Sequence, residues 1–233
     1  MKLATWRLGD LVNSVVPTIA LAVLMTVIAA PPAAAQTRRA SSFDEPTVSF
    51  RPFLLLNGEA FAAQKTFEAI FGRQSLRPFL GGGLQVGFRE RIFVELNATR
   101  FNQSGQRVFV TSDGTIFPLG IPLDVRLTTF EVAGGYRHPI VSWLWAYGAA
   151  GMTRYTYTET SSFAEPAENT DTSSAGLAVL GGIEYRVHSW VRVAGEVAHT
   201  RVHDILGSGG ISKDFGEDNL GGTAIRLRIL VGR

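Results

Sequence analysis

The sequence has 233 residues, a formal net charge of +2 and no cysteine. This length fits one domain of ordinary size, a charge so close to balance offers no basic patch for nucleic acid, and the lack of cysteine excludes a disulfide framework. The fold must therefore be held in another way, for which a sheet closed on itself would suffice.

The N-terminus has the pattern of a secretory signal. Lys2 and Arg7 provide positive charge, Val15–Ala30 is almost wholly apolar, and Ala33–Ala35 supplies the small residues that a signal peptidase requires. We therefore predict a signal peptide over residues 1–35. The alternative is a retained transmembrane anchor, but a proline interrupts the apolar run, which falls short of the ~20 residues that a membrane-spanning helix needs.

The rest of the chain is dominated by alternation of apolar and polar side chains. Residues 36–46 form a short polar lead-in, and we assign residues 47–233 to one domain. Because successive side chains of a strand point to opposite faces, each alternating segment predicts a strand with one apolar face. Counting the segments gives about eight strands. The predicted fold is all-β: a single eight-stranded antiparallel up-and-down transmembrane β-barrel.

Individual strands differ in how clearly they show two faces. In the third strand Glu95 lies between aliphatic residues, and in the eighth Arg226 and Arg228 do so. The fourth strand keeps its charges on one face only if a β-bulge lies near Thr128-Thr129, and we predict one there. For the fifth strand we assign an apolar face and a second, charge-bearing face, with these members: Trp145, Tyr147, Ala149, Tyr155 and Tyr157 against Ala146, Gly148, Ala150, Met152, Arg154 and Thr156.

The connections between the predicted strands alternate in length. All short connections fall at one end of an up-and-down barrel and all long ones at the other, which is typical of outer-membrane barrels with short periplasmic turns and long external loops. An even number of strands then places both termini at the periplasmic end. The short connections are Arg89–Arg91, His138–Ser142 and His188–Trp190, and the long ones are Glu59–Ser75, Ser104–Pro122, Glu159–Ser173 and Asp204–Asn219.

The charged face of the strands distinguishes two kinds of barrel. A soluble barrel of lipocalin type has an apolar interior, so these charges would lie on its surface. Here the strands lack lysine, and glycine and alanine alternate with arginine, which suits a narrow membrane barrel whose buried guanidinium groups pair with carboxylates. We predict that such a network fills the bore. Its members are Arg51, Glu95, Asp124, Arg126, Glu131, Arg137, Arg154, Glu184, Arg186, Arg192, Glu196, Arg226 and Arg228.

Five segments carry a resemblance to known proteins: Ala33–Ala35, Phe61–Gly72, Gly81–Val86, Phe117–Pro122 and Phe215–Gly222. Through them the sequence resembles small eight-stranded outer-membrane β-barrel proteins, similar in plan to the OmpA membrane domain and the OmpX and OmpW groups, and more closely a family of exported barrel-domain proteins without an assigned activity. The resemblance implies a bacterial outer-membrane address, contact with membrane lipid and lipopolysaccharide, and insertion by the barrel-assembly machinery. We expect no cofactor and no metal.

The long connections contain the remaining candidate features. Glu59–Ser75 has apolar residues at near-helical spacing and predicts a short amphipathic helix. This helix caps the barrel mouth, lies at the lipid headgroups or, as the simplest explanation, packs locally over the barrel rim. Asp113-Gly114 predicts a hairpin turn. Two acidic connections could bind divalent cations, but their spacing matches no EF-hand loop, so solvated loop charge is the favoured explanation.

We expect a structural or adhesive role, or a narrow conductance, for a barrel with a charge-filled lumen. The alternatives are a lipid-modifying enzyme of the lipid A deacylase or acyltransferase type, and a soluble lipocalin-like lipid carrier. For the enzyme the candidates are His199 and His203, followed by Asp204 and Ser208, but the two histidines lie about 13 Å apart along a strand. The arginines near the last strand are short of carboxylates, so either glutamates reach across the bore or an anion or water occupies the gap.

Overall fold

The computed structural model describes residues 48–232, except residues 75, 112–113, 162–168 and 207–209. The predicted signal peptide and lead-in lie outside this range. Within it, no helix is long and apolar enough to cross a membrane.

Eight antiparallel strands form a closed barrel in which β8 pairs with β1, as predicted. Each strand also pairs with the next one along the chain, so the topology is a simple up-and-down meander. The elements are β1 (Val48–Phe61), α1 (Gln64–Phe71), β2 (Arg77–Phe88), β3 (Ile92–Val110), β4 (Ile116–Val141), β5 (Leu144–Thr160), β6 (Thr170–His188), β7 (Val191–Arg201), α2 (Gly210–Phe215) and β8 (Gly222–Val231).

Short turns lie at one end of the barrel and the longer connections at the other. Residues 89–91, 142–143 and 189–190 make the turns at the end that we call periplasmic. At the opposite end, the predicted Ser104–Pro122 loop is mostly strand, because β3 and β4 continue to pair until Val110 meets Ile116. Gly114, with φ +82°, lies in the connection of this long hairpin.

The outer surface of the barrel carries a band of exposed aliphatic side chains, which is the surface that a barrel presents to lipid. Near the periplasmic turns the band ends in aromatic side chains, and the rings of Trp143 and Tyr185 meet edge to face at 5.4 Å. Amphipathic rings of this kind favour the membrane–water interface. Members of the band, one from each strand, are Leu54, Leu80, Leu96, Phe130, Met152, Ile183, Val193 and Ile225.

The predicted β-bulge at Thr128-Thr129 is wrong. The pairing of β4 with β5 is continuous from Asp124 opposite Thr160 to Pro139 opposite Trp145. The irregular positions instead lie near the ends of pairings, between Gln106 and Val108, Pro139 and Val141, and Arg186 and His188. Because the register of β4 does not slip, every second residue in the external part of this strand stays on the outer face of the barrel.

The faces assigned to the fifth strand are also reversed. Trp145, Tyr147 and Ala149 point into the bore, whereas Ala146 and Met152 are on the outer face. Large rings are needed inside because they fill space between the charged side chains, and the lipid-facing side of the same strand consists largely of small residues. The aromatic residues therefore misled the assignment of an apolar outer face.

The interior has two parts. The periplasmic half holds charged side chains among aromatic rings and alanines. The external half holds an apolar cluster, which we call the external plug, whose buried members include Phe61, Phe67, Ile70, Leu127, Tyr157, Val202, Leu206 and Leu220.

Candidate functional site in the barrel interior

Two arginines of β8 and three glutamates of β3, β4 and β7 meet in the middle of the bore. We call this group the central network: Arg226, Arg228, Glu95, Glu131 and Glu196. Arg226 donates from both terminal nitrogens to Glu131 at 3.0 Å each and reaches Glu196 at 3.4 Å. Arg228 donates to Glu95 and to Glu196 at 2.8 Å each. All five side chains are buried, so each charge depends on its partners.

Neutral side chains complete the hydrogen bonding of these carboxylates. The Tyr147 hydroxyl donates to Glu196 at 2.6 Å, and the Asn97 amide donates to Glu131 at 3.0 Å. Gln85 donates to Glu95 at 3.3 Å. These bonds fix the carboxylates in one arrangement, because buried acceptors without donors are costly.

A second charged group lies nearer the periplasmic turns. We call it the basic cluster: Arg51, Arg137, Arg192, Glu184 and Glu90. Glu184 accepts from Arg192 at 2.6 Å and from Arg137 at 3.3 Å. Glu90 is farther away, at 3.7 Å from Arg192 and 3.9 Å from Arg51. Three guanidinium groups thus share two carboxylates, one of which makes only long contacts.

Aromatic rings pack against the guanidinium groups of both clusters. The Arg228 guanidinium lies 4.1 Å from the centre of the Phe53 ring, and that of Arg137 lies 5.4 Å from the Phe93 ring. Trp145 lies 6.0 Å from Arg192, and Arg186 lies at the same distance from this ring. Such contacts stabilise a cation at a site that water does not reach.

Helix α1 closes the external end of the bore. The sequence predicts this helix, and the structure places it at the mouth of the barrel. At its N-terminus, Glu217 accepts bonds from the Lys65 amide at 3.1 Å and the Thr66 amide at 2.8 Å. Near its C-terminus, Arg77 donates to the Phe67 carbonyl at 3.1 Å. A carboxylate at the N-terminus and a cation near the C-terminus are both favoured by the helix dipole.

Ten residues of the predicted lumen network point into the bore: Arg51, Glu95, Glu131, Arg137, Glu184, Arg186, Arg192, Glu196, Arg226 and Arg228. Asp124, Arg126 and Arg154 do not, since their side chains are exposed on the outer face. The inner positions beside them belong to the external plug. Sequence reasoning missed Glu90, which lies in a turn with φ +59°, and a charged residue in a short polar turn carries no pattern that points inward.

The misplaced arginines form part of a basic patch on the outer surface. Arg126 and Arg154 lie with Arg100 around Thr128, which is directly opposite Arg100 in the β3–β4 register. Arg154 donates to the Ser173 hydroxyl at 2.9 Å. We call Arg100, Arg126 and Arg154 the outer arginine patch. Arg154 is directly opposite Phe130 of the aliphatic band, and Arg100 and Arg126 lie farther toward the external end of the barrel.

The candidate catalytic residues are not brought together in the described part of the chain. His199 shares a 3.1 Å hydrogen bond with the Thr223 hydroxyl, and His203 accepts a bond from Ser174 at its backbone carbonyl. Ser208 lies outside the described residues. Among the residues that are described, no group of three His, Asp or Glu side chains could hold a metal ion.

Three solved structures of outer-membrane or surface proteins are similar to this chain at low sequence identity. The attachment invasion locus protein Ail of Yersinia pestis is 11% identical, with a TM-score of 0.47 over 78% of this chain and 96% of Ail. Neisserial surface protein A is 12% identical, with a TM-score of 0.48 over 80% and 97% of the two chains. OprG of Pseudomonas aeruginosa is 16% identical, with a TM-score of 0.44 over 79% and 92%.

Comparison at the sequence level gives the family. No curated protein sequence matches the chain. The family model described as "Outer membrane protein beta-barrel domain" matches residues 19–229, which is most of the sequence. This match excludes the soluble carrier and agrees with the aliphatic outer band. The chain belongs to the outer membrane protein β-barrel family, and its place is the bacterial outer membrane.

Proposed function

We propose that this protein is a closed outer-membrane anchor that displays its β3–β4 hairpin outside the cell, in a structural or adhesive role. The observation that carries the proposal is the filling of both halves of the bore while one hairpin extends well past the rest of the barrel. A filled bore disfavours diffusion of solutes, and a projecting hairpin offers a surface to a partner.

The filling is continuous along the barrel axis. Above the central network, Tyr155 donates to Glu59 at 2.8 Å and meets the Thr200 hydroxyl at 3.0 Å. Above this layer lies the external plug, in which the rings of Phe61 and Phe67 stack at 4.2 Å. Polar side chains that hydrogen-bond one another, followed by packed rings, leave little room for a hydrated ion.

The hairpin extends beyond its neighbours on both sides. The register of β2 with β3 ends at Arg100, and that of β4 with β5 ends at Asp124. Beyond these points β3 and β4 pair with each other as far as Val110 and Ile116. From the Ser104–Asp124 pair onward this leaves six residues of β3 and eight of β4, which correspond to roughly 20–26 Å of strand. This length is enough to carry the hairpin tip clear of the lipid-facing band.

Large apolar side chains are exposed near the hairpin tip. Phe109 is 57% exposed, Phe117 is 51% exposed and Leu119 is 50% exposed. Apolar groups gathered on a solvent-facing surface are typical of a contact site. The β4 edge is unsuited to adding another strand, because Pro118 and Pro122 have no amide hydrogen to donate. Contact through side chains is therefore the favoured mode.

The outer arginine patch supports an anchoring role next to lipopolysaccharide. Its three guanidinium groups lie at the external edge of the aliphatic band, at the height of lipid headgroups. Arginine binds phosphate through paired hydrogen bonds. We therefore include the phosphate groups of lipopolysaccharide among the partners that this protein contacts.

The proposal is tested with cells that display the protein. We expect cells that express it to attach to surfaces or to one another more than a deletion strain, and the double variant Phe109→Ser/Phe117→Ser to lose this gain. The matched control is Gln106→Ser, an exposed polar position on the same hairpin. Surface amounts must be equal by antibody labelling. Unchanged attachment by the double variant, or no gain over the deletion strain, would contradict the adhesive role.

A further inference from the structure

We propose that the basic cluster binds one small monovalent anion, of which chloride is the simplest example, at the inner face of Gly87 between Ser49, Arg51 and Arg137. This site goes beyond the proposed function and is independent of it. It concerns the periplasmic half of the bore, whereas the hairpin and the external plug lie at the other end.

Three buried polar atoms at this point have no hydrogen-bond partner within the described residues. They are the Ser49 hydroxyl oxygen and the Nε and Nη1 atoms of Arg51. Ser49 is only 4% exposed and Arg51 only 1%. An unsatisfied buried donor costs free energy, and for a charged group the cost is larger. A bound acceptor would remove this cost.

These groups converge on the inner face of Gly87, which has no side chain of its own. Gly87 lies directly opposite Ser49 in the β1–β2 register. The position that a Cβ atom would take on Gly87 is 2.6 Å from the Ser49 hydroxyl oxygen, 3.2 Å from Arg137 Nη2 and 4.0 Å from Arg51 Nη1. Hydroxyl and guanidinium groups are all able to donate there. A single point thus has one neutral and two cationic donors around it.

The charge of the cluster favours an anion of charge −1. Arg51, Arg137 and Arg192 carry three positive charges, and Glu90 and Glu184 carry two negative charges. Arg186, which packs against Trp145, adds a further cation at the same end. One monovalent anion balances the three arginines and two glutamates of the basic cluster.

The adjoining central network has the opposite imbalance, with three glutamates and two arginines. Gln85 lies between the two groups, because it donates to Glu95 at 3.3 Å and accepts from Arg137 Nη2 at 3.0 Å. Taken together the two groups hold five arginines and five glutamates, so their formal charges cancel. The central network still supplies no acceptor to Ser49 or to Arg51 Nε and Nη1, and these unpartnered donors are what a bound anion would satisfy.

The closeness of the donors selects a small anion. A Cβ atom on Gly87 would already lie 2.6 Å from the Ser49 hydroxyl oxygen, so the Ser49 side chain must turn to admit any occupant. Chloride and bromide, as single atoms, suit these surroundings better than a large organic anion. The approach would be from the periplasmic turns, because the central network and the external plug close the other direction.

The test measures the unfolding midpoint of the purified full-length barrel in detergent, in sodium chloride, sodium bromide and sodium gluconate at one constant ionic strength. Binding to the folded state alone raises the midpoint as the anion concentration rises. We expect a saturating rise with chloride and bromide but not with gluconate. Equal curves in all three salts would overturn the proposal.

Variants locate the effect. Gly87→Ala should remove the dependence on chloride, since its methyl group takes the place of the anion. Ser49→Ala and Arg51→Met keep Gly87 but remove donors, and should reduce the dependence even where Gly87→Ala fails to fold. Arg73→Met, which removes an exposed arginine at the external end of the barrel, should keep it. If the unfolding midpoint still rises with chloride in Ser49→Ala and Arg51→Met, chloride binds at another place on the protein, and the proposed site is contradicted.

Discussion

Replacing Arg228 with methionine is the most informative change in the central network. The side chain is 1% exposed, its charge is balanced by Glu95 and Glu196 at 2.8 Å each, and it lies over the Phe53 ring. Methionine keeps much of the apolar volume and loses the charge. Glu196 retains Arg226 and Tyr147, but Arg228 is the arginine that pairs with Glu95. The substitution therefore leaves Glu95 as a buried charge without an ion-pair partner.

Removing one partner of a buried pair costs about 3–5 kcal/mol. We expect Arg228→Met to lower the free energy of unfolding by this amount. The matched control is Arg154→Met, which removes an exposed arginine that donates to a serine and should change the free energy by no more than about 0.5 kcal/mol. Since Arg228 and Glu95 act as a pair, adding Glu95→Gln to Arg228→Met should restore at least about 1 kcal/mol.

Reversible urea unfolding in lipid vesicles, followed by tryptophan fluorescence, measures these differences. The pairing described above requires that the double variant be more stable than Arg228→Met alone. If the effects of Glu95→Gln and Arg228→Met simply add, the two side chains are not coupled. In that case the central network is not what stabilises the periplasmic half of the bore.

Two further predictions concern the wall and the external plug. Gly83→Ala should destabilise the barrel by about 1–3 kcal/mol, because a Cβ would lie 2.1 Å from the Leu96 carbonyl oxygen, whereas Gly134→Ala, with no atom within 4 Å, should not. Thermal unfolding midpoints on unboiled gels compare the two, and equal midpoints would contradict the close approach. Glu217→Gln should weaken the attachment of α1 by about 1 kcal/mol and speed amide exchange in that helix. Glu68→Gln is its control, and unchanged exchange in both would contradict the role of Glu217.

The regular part of the fold could be predicted because the lipid-facing band imposes one rule on every strand. In β3 and β8 the outer positions are aliphatic and the inner ones polar, as at Glu95, Arg226 and Arg228. Any shift by one residue would place these charges in lipid, so the alternation alone determines their orientation. The inward position of these residues follows from this rule.

The same rule fails where a strand leaves the membrane. In upper β4, Leu123, Val125 and Leu127 are buried beneath α1, and Asp124 and Arg126 are on the outer surface. Water replaces lipid outside, and an apolar plug replaces the charged network inside, so the pattern is inverted without any slip in register. A bulge at Thr128-Thr129 would be needed only if the charged residues lay on the inner face along the whole of β4, which is not the case where the strand crosses this boundary.

The alternation of apolar and polar residues also does not predict which side chains pair across the bore. Arg226 pairs with Glu131, which is 95 residues away, and these two strands are not neighbours in the sheet. Which carboxylate an arginine meets depends on the shear and diameter of the closed barrel. The sequence predicts either that glutamates reach across the bore or that an anion or water occupies the gap. The structure gives the first arrangement for β8, and we propose the second for Arg51.

Ion conductance of the purified, folded protein in planar lipid bilayers tests the central claim most directly. The claim is that the central network and the external plug together close the bore. It predicts that the protein inserts without producing discrete current steps. Heat-modifiable mobility of the recovered protein on a gel verifies that the inserted protein was folded. Regular single-channel openings from the unaltered protein would contradict a closed barrel.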